Sequence, residues 1–432
     1  MLSMIFLSDA ERAQLKIQHR HERDGRIRDR IKAVLLFDKG WSISAIAEAL
    51  LLSEDAIRDH ITEYKEFKKL KPENEGIKML AKSCALNTSP RLSFIDHIAP
   101  LASLLNIPLI VSDEKNAQLT SQYYPEVDLH YWPDFEFRLK ELSDRFDALF
   151  SCDYWTSVQR NAFQLYNKKV MKLLFCPHGQ SDKGYNSSFL APYAWQEGVL
   201  LYGDLMKEML IDLKLWNRGC RVATVGNFRR RYYEKHRERL LRMAREEIFS
   251  KLNLANRTLF FAPTWNDYER SGTFFEYGER LLRELPSEWN LVIKVHPDVV
   301  QHDPVLYYRL SLMEEKRANF LLIEDFPPIY PILEIVDVYL GDYSSIGYDF
   351  LAFQKPMFFL QKPHLVGARL HTCGPVLDPS TPLFPSIEKL LPQAHEFREA
   401  QESLYRRAFR EGSDIVEALQ PLFLDEWQGA GL

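Results

Sequence analysis

The chain has 432 residues, with 55 Lys and Arg against 60 Asp and Glu, a net charge of −5. At roughly 100–200 residues per domain this is enough for two or three domains, and 46% apolar with 27% charged residues excludes a largely disordered chain. The negative balance excludes a protein whose main business is coating nucleic acid, and no run approaches the roughly 18 apolar residues that span a bilayer.

The apolar stretch Met1–Leu7 is too short for a signal peptide and has no basic residues ahead of it. Five cysteines (Cys84, Cys152, Cys176, Cys220 and Cys373) are scattered singly with no C-x-x-C pair, which reads as a reducing cytoplasm without structural zinc. Residues 12–32 are rich in Lys and Arg at helical spacing, and Ile27, Ile31, Val34, Leu35 and Phe37 then mark one apolar helical face. Gly40 ends that helix. Ser42 or Ser44 can cap a second containing Ile46, Ala47 and Leu50, and Ser53 caps a third with Ile57, Ile61 and Tyr64 on one stripe. Three short helices with a tight link before the last describe a helix-turn-helix module over residues 1–75, and the polar Lys68–Gly76 stretch reads as a linker.

Residues 1–75 hold 14 Lys and Arg and 14 Asp and Glu. The would-be recognition helix, 53–67, carries Glu54, Asp55, Asp59, Glu63 and Glu66 against Arg58 and Lys65. Phosphates would repel it, so DNA binding is not expected, and a protein–protein or homo-oligomerising module is. The eight Lys and Arg of 12–32 offer a membrane-surface contact, blunted by Glu22, Asp24 and Asp29.

From Ile77 onward apolar runs alternate with amphipathic segments. One series holds 109–111, 148–150, 172–175 and 199–202; a second holds 222–225, 258–262, 291–295, 320–323, 338–340 and 356–360. The fold class is therefore α/β, two doubly wound Rossmann-type domains (77–215 and 216–395) facing a cleft, with C-terminal helices over 396–432. Residues able to do chemistry gather just past the ends of these runs. After 172–175 comes Pro177-His178-Gly179, with Lys183 placed to meet an anion; after 258–262 comes Thr264; Lys294 and His296 end another run. After 338–340, Ser344 or Ser345 opens a helix whose free N–H groups suit a phosphate.

The segments HGQSDKG (178–184), GNFR (226–229), APTW (262–265), KVHP (294–297) and DYSSIGYDF (342–350) occur in the order typical of CDP-glycerol glycerophosphotransferases, and residues 150–365 resemble that family of GT-B enzymes of cell-envelope polymer synthesis. The stretch 26–64 resembles the helix-turn-helix of certain insertion-sequence transposases. Phe228 stands where the first family usually has Pro, Asn266 where it often has Arg, and Pro177 where an aromatic is common. The phosphate-handling set is intact, and the transferred group stays open.

The resemblance implies a peripheral cytoplasmic transferase at the inner face of the membrane. It would move glycerol phosphate, or a related polyol phosphate, from a CDP-linked donor to a hydroxyl of a saccharide or lipid-linked acceptor, releasing CMP. The first Rossmann-like domain would serve the acceptor and the second the nucleotide donor. His178 would be the general base and His296 its catalytic companion. Lys183, Arg229, Thr264, Lys294, Ser344 and Ser345 would hold the donor phosphates, and Asp349 would orient a His or a ribose hydroxyl. No D-x-D pair is present, so no metal and no cofactor beyond the donor is expected. Two alternatives share these devices: a GT-B nucleotide-sugar glycosyltransferase, and a nucleotide-sensing DNA-binding regulator.

Overall fold

The computed structural model describes residues 7–22, 25–67, 80–183, 188–216, 220–265, 267, 269–296, 304–365, 367–412 and 414–424. The chain divides into two compact units, residues 1–79 and 80–432. The linker expected over 68–76 lies outside the described residues.

Among its described residues the first unit has four helices where the apolar stripes predicted three: α1 (Asp9–His21), α2 (Gly25–Asp38), α3 (Ile43–Leu50) and α4 (Glu54–Phe67). A capping box starts α1, with Ser8 and Glu11 each bonding the other's backbone N–H. Ser42, not Ser44, caps α3 by accepting from the Ala45 N–H at 3.2 Å, and Ser53 accepts from the Ala56 N–H at 3.2 Å. The stripes turn inward as expected. Ala33, Ile46, Ala47, Ile57 and Ile61 form one buried cluster, and Leu7, Leu15, Ile27, Ile31, Val34 and Tyr64 form another.

The second unit holds two parallel sheets. Its first lobe runs β1 (Ser83–Asn87), α5 (Ile95–Leu105), β2 (Leu109–Val111), α6 (Glu114–Tyr123), β3 (Leu129–Tyr131), α7 (Leu139–Arg145) and β4 (Ala148–Ser151). It continues with α8 (Ser157–Asn167), β5 (Lys172–Phe175), β6 (Gly198–Leu201), α9 (Asp204–Asp212) and β7 (Arg221–Thr224). The sheet order is β3-β2-β1-β4-β5-β6-β7. Helices α10 (Phe228–Lys235) and α11 (Arg237–Met243) lead to the second lobe: β8 (Arg257–Phe261), α12 (Phe274–Glu284), β9 (Trp289–Lys294), α13 (Pro304–Glu314) and β10 (Phe320–Ile323). Then come α14 (Ile329–Ile335), β11 (Val338–Gly341), α15 (Ser345–Phe350), β12 (Met357–Phe359) and α16 (Leu383–Leu390), in a sheet ordered β10-β9-β8-β11-β12. Among the described residues every strand pairing is parallel. Most strands are buried on both faces, as runs such as Leu291-Val292-Ile293 require.

Three findings correct the expected layout. The run 222–225 was expected to open the second lobe, but β7 pairs with β6 and ends the first sheet, Gly198 opposite Arg221 and Leu201 opposite Thr224. An apolar run marks a strand and says nothing of which sheet receives it. Two strands, β1 and β3, went unexpected, and β1 is an interior strand of its sheet, between β2 and β4. Finally, the terminal helices α17 (Arg398–Ala408) and α18 (Ile415–Leu424) form no separate domain. Gln401 of α17 donates to the Lys355 and Cys373 carbonyls at 3.2 and 3.0 Å in the second lobe, while Arg407 pairs with Glu208 of the first at 2.6 Å. Helix α18 packs on β7, with Lys172 Nζ donating to the Phe423 carbonyl at 3.1 Å.

In each sheet the strand order reverses beside the first strand, between β1 and β4 and between β8 and β11. Ligands of doubly wound sheets bind outside the carboxyl ends of the strands at such reversals. Among the described residues no helix is long and apolar enough to cross a membrane.

Candidate active site

The loops that leave β1, β5, β8, β9 and β11 meet around one open cavity of about 670 Å³. His178, Arg229, Lys294, His296, Ser344, Ser345 and Asp349 all line it, joined by Ser93, Asp96 and His97 from the loop and helix after β1. Thr264 and Lys183 lie beside it, bonded to each other across the lobes, Lys183 Nζ donating to Thr264 Oγ1 at 2.7 Å. The residues singled out from the sequence therefore converge, although their partners differ from those expected.

His178 reaches the cavity because the chain leaves β5 through Pro177 and turns at Gly179, whose φ is +117°. A Cβ on Gly179 would lie 2.8 Å from Ser345 Cβ, so the turn needs glycine both for its backbone conformation and for this close approach. Three further bonds pin the loop to the second lobe. Ser181 Oγ donates to the Tyr343 carbonyl at 3.2 Å, and Asp182 accepts from the Tyr348 hydroxyl at 2.7 Å and the Leu370 N–H at 3.0 Å.

A buried carboxylate, missed in the sequence, shapes the opposite wall. Asp342 accepts from the N–H groups of Thr264 (2.9 Å), Thr273 (3.0 Å) and Ser344 (3.1 Å) and from the Thr273 hydroxyl (2.9 Å). It thereby sets the loops after β8 and β11 against each other. Burial pushes its carboxyl up, while these donors pull it back down. Ser344 caps α15 as expected, its Oγ accepting from the Ile346 N–H at 3.4 Å. Helix α15 has six residues, and Ser345 Oγ faces Gly179 across the lobe boundary.

Arg229 and Asp349 differ from expectation. The guanidinium is 5% exposed and is spent on carboxylates: its Nη1 donates to Asp349 at 2.7 Å, its Nε to the Asp96 carbonyl at 2.9 Å, and its Nη2 to the Asp96 carboxylate. Asp349 takes its other bond from the Tyr330 hydroxyl at 2.9 Å, and Asp96 from that of Tyr124 at 2.7 Å. Burial alone would lower the guanidinium's pKa; Asp349 and Asp96 overcome this and raise it. Arg229 thus ties both lobes through α10, with three of its N–H groups held by Asp96 and Asp349, while Asp349 is bonded to Arg229 and Tyr330.

The three imidazoles at the cavity are neutral. Burial, then Lys183 and Arg91, hold His178 at about 4, with the Cys152 carbonyl pulling the other way. Its Nδ1 is enclosed, so Nε2 is the nitrogen that the cavity reaches. His296 is held at about 3 by burial and then by Lys183 and His178, and its ring is inclined 30° to that of Trp265 with centroids 6.2 Å apart. The Pro297 expected to fix His296 lies outside the described residues. Burial also brings Lys294 down to about 8, and its Nζ donates to the Phe326 carbonyl at 3.1 Å.

Sequence reading also missed His97 and Arg91. The Tyr202 hydroxyl donates to the Pro177 carbonyl at 2.9 Å, so His97, 2.9 Å from that hydroxyl, donates to it through Nδ1 and keeps Nε2 as an acceptor. This chain braces the turn that presents His178. Arg91 covers the Phe94 ring at 5.6 Å, and that ring lies 4.8 Å from His178. Neither residue comes after a run of strand residues visible in the sequence, since both lie just past the unrecognised β1.

Residues 233–363 match the family described as CDP-Glycerol:Poly(glycerophosphate) glycerophosphotransferase. Among curated relatives, the Staphylococcus aureus teichoic acid ribitol-phosphate polymerase TarL is 33% identical over 109 residues, which are 24% of this chain and 18% of that protein. The Bacillus subtilis teichoic acid glycerol-phosphate primase is 26% identical over 117 residues, 27% of this chain and 28% of that protein. A Staphylococcus aureus teichoic acid glycerol-phosphate transferase is 22% identical over 197 residues, 41% and 48% of the two chains. The chain thus spans less than half the length of each of these relatives. Among solved structures, the wall teichoic acid polymerase TagF aligns with TM-score 0.51 at 14% identity, covering 85% of this chain and 93% of that one. A variant of it aligns with TM-score 0.53 at 13% identity, covering 94% and 95%. That likeness identifies the fold as the two-lobed GT-B arrangement. Residues 233–363, which bring Thr264, Lys294, His296, Ser344, Ser345 and Asp349 to the cleft, are thus the part of the chain that is similar to the CDP-glycerol glycerophosphotransferase family.

Proposed function

We propose that the protein transfers glycerol phosphate, or a related polyol phosphate, from a CDP-linked donor to an acceptor hydroxyl. The observation that carries this reading is the cavity where neutral His178 and His296 share walls with Lys294, Ser344 and Ser345 at the reversals of both sheets. The acceptor oxygen attacks the β-phosphorus, its proton passes to His178 Nε2, and the P–O bond to CMP breaks. CMP leaves with the electron pair, and the product is a phosphodiester joining the acceptor to the polyol. A neutral imidazole suits the proton transfer, because a protonated one could not accept.

Charge on the diphosphate is met by Lys294, by the hydroxyls of Ser344 and Ser345, and by His296 as a neutral partner that donates from one nitrogen. Lys183 is drawn to Thr264 Oγ1 at 2.7 Å and to Asp267 at 3.9 Å, and stands at the same boundary. Arg229 enters this reading as a positioning residue rather than a phosphate ligand. No metal-assisted step is part of it.

A donor screen tests the reading. Purified protein is incubated with CDP-glycerol, CDP-ribitol and common UDP-sugars, with and without EDTA, and nucleotide release is measured. Release of CMP from a CDP-polyol, unaffected by EDTA, is the expected outcome. Turnover of a UDP-sugar with no CMP release from either CDP-polyol would transfer the site to the glycosyltransferase alternative.

A further inference from the structure

His178 and Ser345, together with Gly179, line a second cavity as well, about 600 Å³ in volume. Its walls are unlike those of the first. Met206, Met209 and Leu210 of α9 line it, together with Tyr154 and Tyr193. Tyr154 stacks on Phe175 at 4.6 Å, and Tyr193 meets both rings edge-on at 5.7 and 5.1 Å, so the aromatic wall is held rigidly.

We propose that this second cavity is the acceptor subsite, and that it takes a neutral hydroxylated body with an apolar face, such as a saccharide ring, rather than the anionic end of a phosphate polymer. This rests on the donor reading above and adds the acceptor's chemistry to it. A general base must touch the attacking hydroxyl while facing the phosphorus, and His178 lines both cavities. The apolar and aromatic lining matches the C–H face of a sugar ring.

One polar group in the lining asks for a ligand. Gln180 is 1% exposed and its Oε1 has no hydrogen-bond partner, while its Nε2 makes only a 3.4 Å contact to the Ser181 carbonyl. A buried acceptor left unsatisfied is costly, and a sugar hydroxyl or amide N–H would satisfy it. Charge decides against a polyanion. Among the described lining residues the single Lys or Arg is Lys183, already engaged with Thr264 Oγ1 and Asp267, so a phosphate here would be desolvated without a free cation.

Methionine methyl NMR tests this without using the donor. The full chain is labelled with ¹³C at the methionine methyls, and Met206 and Met209 are assigned from Met206→Leu and Met209→Leu. Phenyl β-glucoside and a short glycerol phosphate oligomer are then titrated separately. The glycoside is expected to shift both methyls saturably and the oligomer to leave them in place. Gln180→Leu should weaken the glycoside about fivefold, the loss of one neutral hydrogen bond. Should Gln180→Leu fail to fold, Met209→Phe fills the cavity and is expected to abolish the Met206 shift.

The proposal is overturned if the glycoside leaves both methyls unmoved up to about 50 mM, beyond the millimolar range of a weak single-sugar site. It is overturned equally if the oligomer moves them more tightly than the glycoside does. CMP release from CDP-glycerol in water alone reports separately on the donor reading, so the two failures are distinguishable.

Discussion

In the proposed reaction His178 is a base that is ready before substrate arrives. With its pKa at about 4, the imidazole is neutral through most of the accessible pH range of the free protein. Binding a diphosphate beside it adds negative charge, which favours the protonated form and raises that pKa. The acidic limb of kcat/KM, which reports the free protein, is therefore expected to lie at lower pH than the acidic limb of kcat, which reports the complex. Rates of CMP release across a pH series check this, and coincident limbs would remove His178 from the base role. His178→Ala should lower turnover by about 10²–10⁴-fold while leaving donor affinity nearly unchanged, since the base acts on the acceptor. The same shift bears on the fold. The folded pKa lies below the ordinary 6.5, so the unfolded chain binds more protons, and this contribution to stability is lost as pH falls from about 6.5 to about 4.

Lys294 gives the opposite limb. Its ammonium, drawn down to about 8 by burial, loses charge as pH rises past that value, so donor affinity should fall above pH 8. A bound diphosphate restores the charge, so binding above that pH should take up a proton. Calorimetry of donor binding in two buffers of different ionisation enthalpy measures the uptake. Lys294→Arg, whose guanidinium stays charged, should flatten the limb.

At the scale of elements, the first turn of α10 carries the greatest burden. Arg229 binds the start of α5 through Asp96 and the body of α15 through Asp349, so a single side chain fixes three helices. Arg229→Leu would leave two buried carboxylates without their cation and should cost about 3–5 kcal/mol, read by urea denaturation. Adding Asp349→Asn should recover part of that loss. If the double variant is no more stable than the single one, the cost comes from packing and not from charge.

This arrangement was only half legible in the sequence. Glycine, asparagine and arginine after an apolar run point to a strand end, which is correct. Asp96 and Asp349, however, lie 133 and 120 residues away, beyond any local pattern. Strand β1 was missed for a similar reason. Its residues Ser83-Cys84-Ala85-Leu86-Asn87 lack the β-branched and aromatic side chains that mark strands, because a small interior strand is packed from both sides. Losing β1 also hid Arg91, Asp96 and His97. By contrast His178, Lys294, His296 and Ser344 all stood at the ends of strongly apolar strands and were found.

On the scale of residues 80–424, two sheets with separate strand networks must be held at one angle for the cavity to exist. The second lobe has its own large core, built on Trp289, Leu291, Phe320 and Phe358, which owes nothing to the first. Cooperation between lobes therefore depends on a few buried polar links and on the returning helices α17 and α18. Asp182 is the most exacting link. It comes from the His178 loop, yet it satisfies the Tyr348 hydroxyl and the Leu370 N–H of the second lobe, with Arg369 at 3.6 Å. Asp182→Ala would leave a buried hydroxyl and a buried N–H unpaired, at about 1–3 kcal/mol each, while leaving both sheets intact. In protein labelled with 5-fluorotryptophan, Trp132 and Trp155 report on the first lobe and Trp289 on the second. The parent protein should show one urea midpoint at all three positions. Asp182→Ala should separate the Trp289 midpoint from the other two and weaken donor binding, because Lys294 and Ser344 would no longer be held opposite His178. A variant whose three midpoints fall together, with donor binding lost all the same, would show that Asp182 acts on the loop alone and that the terminal helices join the lobes.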